Sequence, residues 1–399
     1  MEMLKDKRII LGVSGSIAAY KAVDMASKLT QAGALVDVVM TEGALEFVTP
    51  LSFRSVTHRL VLIKLFDADS ELSLEHVALA ERVDAVVVAP ATANLMAKVA
   101  NGLADDLLTC ILLAVQAPVI VAPAMDGHMY DNPATQENLS KLRARGFILV
   151  GPVHGRLASG LVGMGRLAEV DEIIATIKQA LGRKGDLAGR RIVVTAGGTR
   201  EPIDPVRHIG NRSSGKMGYA VAEAARDRGG EVVLVTSPTS LPDPVGMRVV
   251  KAETALEMRG EVLKAVAKAD VLLMASAVAD YRPKEASDTK IKKNAETITL
   301  TLVRTPDILS EVQGDLVKVG FAAESDNLVE NAQKKLKEKH LDLIVANDVT
   351  AAGSGFASDT NQVVLIERMG KVEQLPLMPK GEVAHRILDR VAMLLSKRA

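Results

Sequence analysis

Short unbroken runs of β-branched and aliphatic residues, each followed by small residues and then by helical apolar spacing, recur through this chain. No other feature restricts its fold as tightly. Arg8-Ile-Ile-Leu-Gly-Val13 passes through Ser14-Gly-Ser16 into a helical pattern from Ile17 to Leu29, then into Leu35-Val-Asp-Val-Val-Met40. The opening returns at Arg191-Ile-Val-Val-Thr195, followed by a Gly-rich loop, a helix from about Gly218 to Arg228, and Val232-Val-Leu-Val-Thr236. Further strand candidates are Ala85–Val88, Val119–Ala122, Val271–Met274 and Leu343–Ala346. A strand that is apolar at every position has to be covered on both faces, as in parallel sheets flanked by helices. The expected fold class is therefore α/β, with two Rossmann-like domains built on parallel sheets. Between the halves, a helix near Asp171–Leu181 gives way to Gly182-Arg-Lys-Gly-Asp-Leu-Ala-Gly189, small and charged residues without periodicity. One domain is expected at 1–181, a linker at 182–190 and a second domain at 191–399.

Composition sets the outer bounds. A length of 399 residues suits two or three domains. With 49 Lys+Arg against 49 Asp+Glu, the chain lacks the basic excess of a general nucleic-acid binder. Cys110 is its one cysteine, which excludes an internal disulfide framework and a Cys-rich zinc site and suits a reducing cytosol. The most apolar window, Cys110 to Met125, is broken by Gln116, Pro118 and Pro123, so no membrane span is expected. The start is charged and runs directly into a strand pattern, so the expectation is a cytoplasmic protein without a signal peptide.

In the first half, Gly12-Val-Ser-Gly-Ser-Ile-Ala-Ala-Tyr-Lys21 lies between a strand end and a helix start. Backbone N–H groups there can converge on a phosphate, with Ser14 and Ser16 adding hydroxyls; a plain βα turn has the same composition. The segment is not GxGxxG, and Thr41, not an acid, follows the second strand, which disfavours dinucleotide binding. Ala89-Pro-Ala-Thr-Ala-Asn94 and Pro123-Ala-Met-Asp-Gly-His-Met-Tyr130 each follow a strand, at the sheet end where open α/β folds bind ligands.

These segments, with Phe47-Val-Thr-Pro-Leu-Ser52, His76, Gly102-Leu-Ala-Asp-Asp-Leu107 and Gly155-Arg-Leu-Ala-Ser-Gly160, resemble the flavin-dependent cysteine decarboxylases, in particular those acting on phosphopantothenoylcysteine. The resemblance runs from about Arg8 to Leu181 and implies a flavodoxin-like flavoprotein domain that binds FMN. It implies flavin contacts at Ser14, Ser16, Thr41, Ser52, Thr92 and Asn94. It also implies an essential histidine at His76, although on its own a histidine in Leu74-Glu-His-Val-Ala-Leu79 is more often a structural helix residue. Two positions depart from the family. Asp126 stands where an asparagine helps hold the substrate carboxylate, and a second carboxylate there repels the first. Ser159 stands where the family has its cysteine proton donor, and a hydroxyl is a far weaker acid than a thiol of pKa about 8.5.

In the second half, Gly210-Asn-Arg-Ser-Ser-Gly-Lys-Met217 imitates a P-loop but has Met217 where Mg2+ binding needs Ser or Thr. Ser213, Ser214, Gly215 and Lys216 still precede a helix and can cradle an anion. The basic clusters Lys290-Ile-Lys-Lys293 and Lys334-Lys-Leu-Lys-Glu-Lys339 read, on charge alone, as solvated faces. Together with Thr195–Arg207, Asn211–Lys216, Ala277-Val-Ala-Asp-Tyr281, Gly320-Phe-Ala-Ala-Glu324 and Ala346-Asn-Asp-Val349, however, they are similar to the phosphopantothenate–cysteine ligases over about Gly189 to Leu395.

That resemblance implies a ligase domain that activates a carboxylate with CTP, with Mg2+ neutralising the leaving pyrophosphate. Met274, Ala275, Ser276, Asp280, Lys290, Pro306, Asp307, Ile308, Leu309, Phe321, Lys335 and Lys339 would line or adjoin the CTP site. Asn211 would govern conversion of the acyl cytidylate, and the metal ligands stay unassigned. Together the halves imply a bifunctional enzyme of coenzyme A biosynthesis: ligation first, then FMN-dependent decarboxylation to 4′-phosphopantetheine. A different outcome is a live ligase fused to an FMN-binding scaffold whose chemistry was lost at Asp126 and Ser159. The resemblance further implies a homo-oligomer with trimeric decarboxylase and dimeric ligase contacts, small-molecule substrates, and neither nucleic-acid nor membrane partners.

Overall fold

The structure is a computed structural model that describes residues 3–65, 75–292, 296–324, 327–348, 355 and 358–398. The chain divides into two compact units, Met1–Gly182 and Arg183–Ala399.

The first unit runs β1 (Arg8–Val13), α1 (Ala19–Gln31), β2 (Leu35–Met40), α2 (Glu42–Leu45), α3 (Pro50–Thr57), β3 (Val61–Leu62), α4 (Glu75–Arg82), β4 (Ala85–Ala91), α5 (Ala93–Ala100) and α6 (Leu107–Ala114). It continues through β5 (Val119–Pro123), α7 (Gly127–Asp131), α8 (Pro133–Ala144), β6 (Ile148–Leu149), β7 (Val153–Arg156), β8 (Val162–Arg166) and α9 (Val170–Gly182). Six strands form one parallel sheet in the order β3-β2-β1-β4-β5-β6. Strand order reverses between β1 and β4, so a crevice opens at their carboxyl ends. The sheet is apolar on both faces: Ile9 and Leu11 pack into one cluster with α1 and α9, while Ile10, Val86 and Val88 pack into another with α5 and α6. Each such side chain contributes about 1.5–3 kcal/mol when fully buried.

The second unit runs β9 (Arg191–Ala196), β10 (Arg200–Pro202), β11 (His208–Gly210), α10 (Lys216–Asp227), β12 (Glu231–Thr236), β13 (Arg248–Lys251), α11 (Ala255–Val266), β14 (Val271–Met274), β15 (Tyr281–Pro283) and β16 (Leu302–Arg304). Then come α12 (Ile308–Glu311), β17 (Val317–Glu324), α13 (Leu328–Glu338), β18 (Leu343–Asp348), β19 (Thr360–Asn361), β20 (Val363–Glu367), β21 (Val372–Gln374), β22 (Met378–Pro379) and α14 (Lys380–Ser396). The main sheet has the order β13-β12-β9-β14-β17-β18-β20-β21, parallel up to β18 and antiparallel at β20 and β21. Its order reverses between β9 and β14. Helix α10 lies close on β9 because residue 218 has no side chain: a Cβ there would sit 2.6 Å from Ala196 Cβ and 2.7 Å from Thr195 O.

Several boundaries differ from expectation. Helix α1 starts at Ala19, and Ile17 is 58% exposed, since the small-residue loop extends further than apolar spacing suggested. The stretch expected as a linker is partly packed: Leu187 is fully buried in the second unit's core, and Asp186 pairs with Arg228. Among the described residues, no helix is long and apolar enough to cross a membrane.

Candidate functional sites

A cavity of about 710 Å3 opens at the carboxyl end of the first sheet, beside the α1 loop and the β7–β8 hairpin. Of the residues expected to contact a flavin, Ser16 and Thr92 line it. Ser14 does not. Its buried hydroxyl donates to Pro90 O at 2.8 Å and accepts from Thr92 N at 2.9 Å, so it ties the first loop to the β4 end. Thr92 caps α5, its Oγ1 accepting from Leu95 N at 3.3 Å. Thr41, Ser52 and Asn94 stand outside the lining; Thr41 precedes α2, Ser52 lies 3.2 Å from Thr49 Oγ1 in α3, and Asn94 is exposed on α5. The backbone of His76 belongs to α4, but its side chain lies outside the described residues.

The two departures from the family pattern meet each other in this cavity. Ser159 Oγ donates to Asp126 Oδ2 at 2.7 Å, and His128 N donates to Asp126 Oδ1 at 3.0 Å. The Ser159 hydroxyl, followed by the His128 amide, holds the Asp126 carboxyl below the ordinary carboxylate range. The hairpin that carries Ser159 is itself fixed: Met125 N donates to Gly165 O at 3.0 Å. Gly165 has φ +133°, and a Cβ there would stand 2.3 Å from Met125 O, so the two segments meet this closely only with glycine. Cys110 does not replace the missing thiol. It lies in α6, donates to Ala104 O at 3.4 Å, and is pushed up in pKa by burial and by Asp106 and Asp105.

The second unit has a cavity of about 770 Å3 at the corresponding end of its sheet. Asn211, Met274, Ala275, Ser276, Asp280, Pro306, Asp307, Ile308, Leu309, Phe321, Lys335 and Lys339 all line it, brought together from segments distant in sequence. Asn211 is held by Nδ2, which donates to Val278 O at 3.1 Å. Ser276 is fixed against β9, its N–H donating to Thr195 Oγ1 at 3.1 Å while that hydroxyl donates to Ser276 Oγ at 2.8 Å. Asp307 caps α12 and lies 3.2 Å from Lys339 Nζ. Burial pushes the Asp307 carboxyl up, but Ser310 and Lys339 outweigh it and hold it below the ordinary range.

Lys290 is absent from this lining. It is exposed on a strap between β15 and β16. The strap is pinned one residue later. Buried Asp204 accepts from Val206 N and Arg207 N at 2.8 Å each and from Ile291 N at 3.2 Å, while the Arg207 guanidinium donates to Ile291 O at 2.9 Å. The P-loop imitation is not a P-loop in space, because the β10–β11 hairpin separates β9 from α10.

Two lysines of this cavity escaped sequence reasoning or stood in it only as an anion cradle. Lys216 opens α10 and pairs with Asp359 at 2.6 Å. Lys380 is 6% exposed, and its Nζ donates to Gly355 O at 3.0 Å and Ser358 O at 2.5 Å. Burial and the charge of Lys216 lower its pKa. A lone lysine after Pro379 carries no motif, so only the fold reveals it.

Comparisons with known proteins fit this division. The family model described as flavoprotein matches residues 1–182, and the one described as DNA/pantothenate metabolism flavoprotein C-terminal domain matches 187–395. The chain is 45% identical over 398 residues to the coenzyme A biosynthesis bifunctional protein CoaBC of Bacillus subtilis (strain 168), covering 98% of each. It is 43% identical to the protein of that name from Escherichia coli (strain K12), covering 97% of each. Among solved structures, the C-terminal domain of a coenzyme A biosynthesis bifunctional protein CoaBC is 42% identical, covering 53% of this chain and 99% of that one, with a TM-score of 0.47.

Proposed function

This chain belongs to the family of bifunctional coenzyme A biosynthesis proteins, and on that premise we propose how its two cavities divide the work. It is an enzyme with a flavoprotein decarboxylase domain and a ligase domain. In our reading the second unit joins 4′-phosphopantothenate to cysteine, activating the carboxylate with CTP as an acyl cytidylate. The first unit then converts phosphopantothenoylcysteine to 4′-phosphopantetheine. The chain works in the cytoplasm as a homo-oligomer with trimeric decarboxylase and dimeric ligase contacts.

The observation that carries the ligase reading is the convergence of Asn211, Asp280, Lys335 and Lys339 on one cavity of about 770 Å3. Lys335 and Lys339 supply positive charge for a nucleotide, and the capping carboxylate of Asp307 orients Lys339. Mg2+ carried by the triphosphate would offset its charge. Asn211, fixed by Val278, orients the acyl cytidylate for attack by the amine of cysteine. Ser213 to Lys216, at the start of α10, face the same space and suit a phosphate.

The first cavity fits FMN in volume and donor set. Ser16 and Thr92 offer hydroxyls, and the buried Lys21 ammonium beside them makes no hydrogen bond among the described residues. FMN held there would supply the two-electron redox chemistry that the decarboxylation requires. Ser159, donating to Asp126, ties the hairpin tip to the segment after β5 at the rim of the cavity. The family resemblance gives His76 the role of the essential histidine of the decarboxylation.

Nucleotide use tests the ligase half: with phosphopantothenate, cysteine and Mg2+ present, pyrophosphate release should require CTP. Equal release with ATP would remove the cytidine assignment, and release with neither nucleotide would remove the ligase reading.

A further inference from the structure

Lys21 follows the exposed Tyr20 in α1 and lies beside the helix's buried face of Ala19, Ala22, Met25, Ala26 and Leu29. Its Nζ is buried and has no hydrogen-bond partner among the described residues. The carboxylate of Glu169 lies 3.5 Å away, but that group is 60% exposed and is held by Arg166 at 2.6 Å. A buried ammonium has three donors to satisfy, and one screened ion pair does not satisfy them. Lys21 is among the residues that line the first cavity, with Ser16 and Thr92, so the cavity is a side from which a further partner can reach it.

The charge balance there points the same way. Asp126 is held ionised by Ser159 and His128, which by itself makes the cavity unfavourable to an anionic substrate. Arg156 and Arg166 also line the cavity, with Arg166 committed to Glu169. An apolar side chain of the same length at position 21 would complete the helix packing equally well, so the ammonium contributes only charge and donors.

We propose that Lys21 is an anion-binding residue of this cavity, whose ammonium receives an anionic oxygen of a bound molecule. The inference rests on reading the cavity as the decarboxylase site. Two oxygens there share the required chemistry: the phosphate of FMN and the carboxylate of phosphopantothenoylcysteine.

The experiment uses the full-length chain stripped of flavin, as wild type, Lys21→Met, Lys21→Arg and Glu169→Gln. Each protein is titrated with FMN and with riboflavin by flavin fluorescence, and the reconstituted proteins are assayed for KM and kcat on phosphopantothenoylcysteine. If Lys21 holds the phosphate, Lys21→Met weakens FMN binding about 10- to 100-fold and leaves riboflavin binding unchanged. If it holds the carboxylate, both flavins bind as in wild type and KM rises about tenfold or more. In either case Lys21→Arg recovers most of the loss, which also separates binding from misfolding.

Unchanged FMN affinity together with unchanged KM in Lys21→Met would overturn the inference while leaving the cavity assignment intact. So would Glu169→Gln reproducing every change, since Lys21 would then serve only that ion pair. A wild-type protein that takes up neither flavin would overturn the cavity assignment and the inference with it.

Discussion

Ser159 and Asp126 have to be treated as a unit, because one donates to the other at 2.7 Å. While that bond stands, the Ser159 proton points at a carboxylate and not at a reacting carbon, which supports our reading of Ser159 as a relay or latch over one in which it is the acid. Asp126→Asn keeps an acceptor for Ser159 and removes the charge facing the substrate carboxylate. It should lower KM for phosphopantothenoylcysteine several-fold; an unchanged or raised KM would contradict this account. Ser159→Ala should slow turnover only modestly, whereas arrest after CO2 release would make Ser159 the donor. The sequence exposed both residues as departures, but not that they touch, since 33 positions separate them. Lys290 shows the converse. Its motif suggested a cavity residue, yet it stands on a strap held by Asp204 and Arg207. Lys290→Gln should still reduce ligase kcat/KM for CTP by about 10- to 100-fold, or 1.5–3 kcal/mol, if the strap brings it to phosphate. Unchanged kinetics would leave it a solvated surface residue.

Elements were legible wherever burial forced a pattern. Strands β1, β2, β9 and β12 are apolar runs because both faces of their sheets are covered, and periodicity reports that directly. Elements without a strong apolar period were not legible: the start of α1 follows a loop of small residues, the β7–β8 hairpin is short, and the segment around Leu187 packs against partners remote in sequence. The α10–β9 contact allows a sharp test. Gly218→Ala would press on Ala196 and Thr195 O, so it should destabilise the second unit by about 1–3 kcal/mol and weaken the ligase, with decarboxylation of supplied phosphopantothenoylcysteine unaffected. A thermal midpoint equal to wild type would show that the helix can shift without loss. The segment before β9 predicts an acid response. Arg228 holds the Asp186 carboxyl below its ordinary value of 3.8, against the opposing effect of burial. A carboxylate depressed in the folded state stabilises above its unfolded pKa and loses that contribution as pH falls through the folded value. Asp186→Asn should therefore lower stability by about 1 kcal/mol at neutral pH and by less near pH 3, as read from urea midpoints. An equal deficit at both pH values would contradict the linkage.

At the scale of the whole molecule, a parallel sheet and a mostly parallel one each reverse strand order once, and each has its cavity at the carboxyl ends beside that reversal. This follows from right-handed crossovers on both sides of a parallel sheet, which leave a crevice where neighbouring connections diverge. Two Rossmann-like openings in one chain were enough to anticipate two ligand sites. What periodicity could not supply was the chemistry at each site, which depends on side chains at loop ends; those entered through motif resemblance, and the fold then sorted them. It set Ser16 and Thr92 in the first cavity but Ser14 behind it, and it gathered Asn211, Asp280, Lys335 and Lys339 into the second while leaving Lys290 on a strap. The central claim is that one chain performs both ligation and decarboxylation. The most direct test incubates the purified full-length protein with 4′-phosphopantothenate, cysteine, CTP and Mg2+ and follows the products by mass. The account predicts phosphopantothenoylcysteine as a transient that gives way to 4′-phosphopantetheine. Accumulation of phosphopantothenoylcysteine with no further conversion would contradict it, leaving a ligase fused to a flavin-binding scaffold.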